Sequence, residues 1–294
     1  MTAATGKGPE TGLEVVIGQL ETDWDPPGNS ERVVSFLRAE TRPGCLAVLP
    51  EAVPSGYDDQ LSGLDRLDAR ALATGMTAVA AAARELGVHV LCGSLLSEAG
   101  SFWNTAMYFG PAGEHWTYRK VNLASHERGR LAPGASLPLL RLPAEGAQRS
   151  ASSAEGPRDA ERPPLTRPPL AIGVQLCREL KYPEQWHVLA RRGARLLAYL
   201  TYAANPEIAP GVWRSHLISR AAESQRFVLA ANVASPDQHC PSMVISPRGE
   251  VLAETTTTGP QALHAELDLA EVSDWVLSQQ RGDVVGISYH GSGD

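Results

Sequence analysis

No apolar run in this chain is long enough to cross a membrane. The longest, Leu196–Ala204 (LLAYLTYAA), falls far short of the roughly 20 residues a spanning helix needs. The N-terminal stretch MTAATGKGPETG lacks the apolar core of a secretory signal. Cysteine is sparse: Cys45, Cys92, Cys177 and Cys240 lie far apart and form no CxxC pair. These features predict a cytoplasmic protein whose thiols are free and mostly buried as small hydrophobes. The eight histidines form no HxxxH pair. His239 and Cys240 are neighbours without a second ligand pair, so no metal site is expected. There is no GxSxG elbow and no GxxxxGK[ST] phosphate loop, and Gly6-Lys7-Gly8 has no strand before it. Positive charge is also in deficit. With 26 Lys and Arg against 33 Asp and Glu, the net charge is −7, which argues against a nucleic-acid binder or a protein docking on an anionic membrane.

What is present is ordinary globular composition, 43% hydrophobic and 20% charged, which rules out wholesale disorder. Short β-like runs alternate with helical patterns. Leu13–Leu20 reads as a buried strand, Ser30–Glu40 as a helix with Val33, Phe36 and Leu37 on one face, and Cys45–Pro50 as a second strand. The clearest helix follows the N-cap Asp68. Its apolar positions are Leu72, Met76, Val79, Ala83 and Leu86, and Gly87 closes it. Val88–Ser94 and Trp103–Phe109 are strands. The turn signal Gly110-Pro111-Ala112-Gly113 then makes a hairpin with His115–Arg119. The rhythm resumes in the second half. Leu170–Leu176 is a strand, Pro183 opens a helix, and Arg195–Thr201 is a strand. A helix carries Trp213, Leu217 and Ala221, and Phe227–Val233, Ser242–Ser246 and Leu263–Leu267 are strands.

One segment departs from this. Pro143–Pro169 has a single large aliphatic residue, Leu165, among Pro, Ser, Ala, Glu and Arg. It is expected to be a disordered insertion at 143–169 in a single domain spanning 1–294, since neither half looks self-sufficient.

Three apolar runs finish at side chains capable of chemistry. CLAVLP ends at Glu51, the hairpin strand ends at Lys120, and IGVQL ends at Cys177. In α/β proteins ligands gather beyond the carboxyl ends of strands, so the three could meet in one cleft. A thiol needs a base or a positive charge to become a nucleophile. A carboxylate in a dry cleft can shuttle its proton, and an ammonium can hold a developing oxyanion. On spacing alone, a cysteine after a β-run is more often core than nucleophile.

The words around these residues resemble the nitrilase superfamily of carbon–nitrogen hydrolases, in its amidase-like branch. Leu49-Pro50-Glu51 is similar to the family's strand-end glutamate, and Tyr118-Arg119-Lys120-Val121-Asn122-Leu123 to its lysine motif. Glu127 followed by Ala132-Pro133-Gly134 resembles the trailing E…PG. Gly173 to Glu184, GVQLCRELKYPE, resembles the cysteine signature. Arg220-Ala221-x-Glu223 and Ala231-Asn232 look like the downstream segments, so the resemblance spans roughly Val15 to Leu269. It implies a four-layer α-β-β-α sandwich, often paired with a second copy as a homodimer or higher homo-oligomer. It also implies a Glu-Lys-Cys triad at Glu51, Lys120 and Cys177, supported by Glu127, and no cofactor.

Arg178 stands where the family often has an aromatic residue, and Glu179 where it often has Asp. Arg178, Lys181 and Tyr202 are the candidate substrate contacts, and the two cations are expected to lower the thiol's pKa and favour an anionic substrate. The bland reading has Glu179 and Glu184 neutralising both charges. The activity implied is hydrolysis of an amide or N-carbamoyl compound to acid and ammonia or amine through a thioester. A nitrilase, an acyl transferase and a non-catalytic family member remain alternatives.

Overall fold

The computed structural model describes residues 12–143 and 169–291. The expected insertion at 143–169 lies outside them except for its two end residues. In chain order the first half contains β1 (Gly12–Gln19), α1 (Pro26–Glu40), β2 (Leu46–Val48), α2 (Ala69–Leu86), β3 (His89–Glu98), β4 (Ser101–Phe109), β5 (His115–Arg119) and β6 (Leu140–Leu142). The second half contains β7 (Leu170–Leu176), α3 (Pro183–Arg191), β8 (Leu196–Thr201), α4 (Val212–Ser224), β9 (Phe227–Asn232), β10 (Met243–Ile245), β11 (Val251–Glu254), β12 (Gln261–Asp268) and α5 (Trp275–Ser278).

Among the described residues the strands form two six-stranded sheets, ordered β12-β1-β2-β3-β4-β5 and β11-β10-β9-β8-β7-β6. Strand periodicity sorts their side chains into layers. Val15 and Ile17 pack with Ile172, Val174 and Ala198 of the other sheet. Val16, between them, packs with Val33 and Leu37 of α1 and with Met76 and Val79 of α2. On the far side, Trp186 and Leu189 of α3 and Leu217 and Ala221 of α4 join the core of the second sheet. The result is the expected α-β-β-α sandwich.

Local chemistry explains the boundaries. The Asp68 side chain accepts from the N–H groups of Arg70 and Ala71, and Gly87 ends α2 in the left-handed region. Pro183 occupies the first turn of α3. Three features differ from the sequence expectation. Helix α1 starts at Pro26, where the paired prolines suit a first turn, rather than at Ser30. Cys45 lies just before β2 rather than within a strand. Strands β6 and β11 were not foreseen. Both are short edge strands, β6 with exposed Arg141 between two buried leucines and β11 only four partly covered residues ending at Glu254, so neither shows a long apolar run. No helix of the described residues is long and apolar enough to cross a membrane.

Candidate active site

Glu51 follows β2 through Leu49 and Pro50. The adjoining strand holds this stretch as a ladder, with Leu49 N–H donating to Leu91 O and Gly93 N–H to Pro50 O. The chain turns sharply at Ala52, with φ of 55°. Gly93 is required here, because a Cβ would sit 2.6 Å from both Glu51 Cα and Ala52 N. Lys120 directly follows β5, its N–H bonded to Asn104 O, while Gly134 N–H donates to Lys120 O. A Cβ on Gly134 would run into the Arg119 carbonyl, which gives the PG of the lysine motif a physical cause. Cys177 follows β7 at φ of 41°, an uncommon conformation for a non-glycine residue. The Tyr199 hydroxyl donates to its carbonyl at 2.8 Å, and a short 3₁₀ turn continues to Lys181.

These strand ends meet. Lys120 Nζ donates to Glu51 Oε1 at 2.8 Å and to Glu127 Oε1 at 3.0 Å, and all three side chains are fully buried. Asn104 Nδ2 reaches the same two oxygens at 2.8 and 2.6 Å. Glu127 Oε1 also accepts from the Tyr57 hydroxyl, and its Oε2 from Ala124 N–H. Tyr202 N–H donates to Glu51 Oε2 at 2.9 Å. Cys177 Sγ lies 3.9 Å from Tyr202 O, with Glu51, Lys120 and Glu127 as its charged neighbours.

The charges fix protonation states. Burial opposes the Lys120 ammonium, but the Glu51 and Glu127 carboxylates outweigh it and hold the ammonium above the usual lysine range. Burial likewise opposes the Glu127 carboxylate, but Lys120 and the hydrogen bonds from Ala124 and Asn104 hold its carboxyl below the usual range. Burial and then the Glu51 charge push the Cys177 thiol up, against the opposing pull of Lys120. The expected lowering by Arg178 and Lys181 is therefore not what governs this thiol, and the resting sulfur is protonated.

A cavity of about 400 Å³ opens on the sulfur, lined by Cys177, Arg178, Tyr202, Tyr57, His126, Trp213 and His239 among others. Arg178 and Tyr202 thus face the expected space. Lys181 is not among its lining residues. Its Nζ lies 5.7 Å from the Trp213 ring centre and 3.3 Å from His216 Nε2. Glu179 does not neutralise these cations. Its buried carboxylate accepts from the Tyr118 hydroxyl and from the N–H groups of Val121, Asn122 and Leu176.

Sequence reasoning missed Asn104, Tyr57 and Tyr199. For Asn104 a signal existed, since an amide in the run WNTAMYF is disfavoured in a strand unless something binds it. Among the described residues no group of three or more His, Cys, Asp and Glu is placed to hold a metal ion.

Comparison with known proteins agrees with this architecture. Omega-amidase NIT2 of Homo sapiens is 26% identical over 299 residues, covering 94% of this chain and 98% of that protein. The 2-oxoglutaramate amidase of Bacillus subtilis is 27% identical over 257 residues, covering 85% and 88%. Among solved structures, Saccharomyces cerevisiae Nit3, of the nitrilase superfamily, superposes with a TM-score of 0.69 at 22% identity, over 92% of this chain and 95% of that one. An amidase of Nesterenkonia AN1 from the same superfamily gives 0.72 at 19% identity, over 96% and 98%. The sequence profile of the carbon–nitrogen hydrolases matches residues 14–276, and the chain belongs to that family.

Proposed function

We propose that this protein hydrolyses the C–N bond of a small amide through a thioester on Cys177. The observation that carries the reading is the buried Glu51–Lys120 pair, 2.8 Å apart, beside the Cys177 side chain, which lines a cavity. An ionised carboxylate offers about four acceptor sites. Three on Glu51 are taken by Lys120, Asn104 and Tyr202, which leaves one on Oε2. That oxygen takes the Sγ proton as the sulfur attacks the amide carbon. Lys120 Nζ and the Arg178 N–H hold the oxyanion. Glu51 then gives its proton to the departing nitrogen, the C–N bond breaks, and an acyl thioester remains. A water molecule loses a proton to Glu51 and attacks the thioester. The acid leaves, and the proton returns to the sulfur. Glu127 is a positioning residue that keeps the ammonium aimed.

Arg178 on the cavity wall supports a substrate that carries a carboxylate away from the reacting amide. The names of the relatives, an omega-amidase and a 2-oxoglutaramate amidase, support the same class. The exposed Trp275, Val284 and Val285, 66%, 70% and 66% accessible, support a homo-oligomer, which sedimentation would read. The deciding experiment is ammonia release from primary amides, N-carbamoyl compounds and nitriles, with Cys177→Ala as the blank. Release from amides that vanishes in the blank is expected. Release from nitriles alone would replace this reading with a nitrilase.

A further inference from the structure

The cavity wall holds a donor that this mechanism does not use. His239 is only 6% exposed and lines the same space as Cys177 and Arg178. Its Nδ1 lies 3.2 Å from the backbone nitrogen of Asn205. That N–H can only donate, so Nδ1 accepts and the proton of the neutral ring sits on Nε2. Burial outweighs the opposing backbone hydrogen bond at Asn205 and, with the Lys181 charge, holds the ring below the usual histidine range, which keeps it in this neutral form. Nε2 is itself buried and has no hydrogen-bond partner among the described residues. Buried N–H groups are nearly always paired, so an unpaired one on a residue that lines the cavity is an unfilled half of a bond.

The ring is also held still. His239 N–H donates to Ala203 O. The Asn232 side chain accepts from Ala203 N–H and donates to Cys240 O, which ties the Ala203 segment to the one that carries His239. The imidazole stands edge-on to Trp213, with ring centres 4.9 Å apart and planes at 85°. A donor fixed in this way loses no conformational freedom when it meets an acceptor.

We infer that His239 is a specificity-determining residue whose Nε2–H binds a carboxylate oxygen of the substrate, at the end away from the reacting amide. Arg178 supplies the charge and His239 the direction. This inference rests on the amidase reading.

The test compares succinamic acid with butyramide, amides of equal carbon count with and without the carboxylate. Two variants are used. His239→Phe keeps the packing on Trp213 and removes the donor, whereas His239→Gln keeps a donor near Nε2. His239→Phe is expected to raise KM for succinamic acid about tenfold, the loss of one hydrogen bond to a charged group. Its kcat and its kinetics with butyramide should stay within about twofold of wild type, and His239→Gln should recover most of the loss. An equal loss on both amides, or none on either, overturns the inference. A second measurement does not depend on folding of the variants or on turnover. In Cys177→Ala protein carrying ¹⁵N-histidine, succinamic acid should move the His239 Nε2–H resonance and butyramide should not. An unmoved resonance at saturation overturns the inference. If wild type hydrolyses neither amide, the amidase reading fails by itself, and the resonance still decides what His239 does.

Discussion

A lysine buried between two carboxylates costs a great deal to desolvate, and here the Glu51 and Glu127 charges outweigh that cost and keep it an ammonium. The thiol beside it has the opposite fate. Cys177 is pushed above the ordinary thiol range by burial and then by Glu51, so thiolate forms only as a base takes the proton. Iodoacetamide should still label Cys177 first, because its sulfur opens on the cavity whereas Cys45, Cys92 and Cys240 are buried. The sign of the pH effect follows. With the thiol raised, the thiolate fraction keeps growing as pH rises, so the labelling rate should climb throughout the alkaline range. A rate that levels off near neutrality, or first labelling of another cysteine by peptide mapping, would contradict this. Glu51, Lys120 and Cys177 were legible in the sequence because each ends or follows a β-like run inside a recognisable word, and Glu127 was legible through the family resemblance alone. Tyr202 contributes through its backbone N–H, which no side-chain pattern announces.

At the scale of elements, Glu179 fastens the turn after β5 to the turn after β7. One carboxylate holds Val121 and Asn122, next to Lys120, and Leu176, next to Cys177. Glu179→Gln must turn its NH₂ towards one set of these donors. It should lose about 1–3 kcal/mol of stability for the unpaired group, read by urea unfolding, and kcat should fall as the lysine and cysteine separate. Unchanged stability and kcat would show that the latch is dispensable. Strands β2 and β7, which lead to Glu51 and Cys177, were readable because they are buried and appear as continuous apolar runs, whereas the edge strand β5 was readable from the turn signal before it. Edge strands β6 and β11 were not, since an edge needs only one neighbour and Arg141 or Glu254 can sit in it without cost. Which sheet each strand joins was also hidden. Nothing local says that β12, late in the chain, closes the first sheet against β1.

For the whole molecule, the site is a seam. Glu51, Asn104 and Lys120 belong to the first sheet's side, Cys177 and Tyr202 to the second, and the bond from Tyr202 N–H to Glu51 Oε2 crosses between them. Packing of the sandwich and ionisation of the buried cluster are thus coupled, and stability should report it. The folded Glu127 carboxyl lies below its unfolded value of about 4.3 because Lys120 and its hydrogen bonds overcome burial. Its contribution is fully present above the unfolded value and is lost as pH falls through the folded one. Lys120 is raised, so its contribution is present below about 10.4 and fades only as pH climbs through its folded value. Glu179 runs the other way. Burial raises it, so protonation favours the fold between its two values and softens the first part of the acid limb. Urea midpoints should be flat around neutrality and fall once pH drops below about 4. Glu127→Gln should lower the neutral plateau by about 3 kcal/mol, the cost of breaking a buried pair, and make the acid limb shallower, since the group whose protonation unravels the cluster is gone. A variant with the wild-type slope below pH ~4 would mean that acid unfolding starts at other carboxylates and that the buried cluster does not set the lower pH limit of the fold.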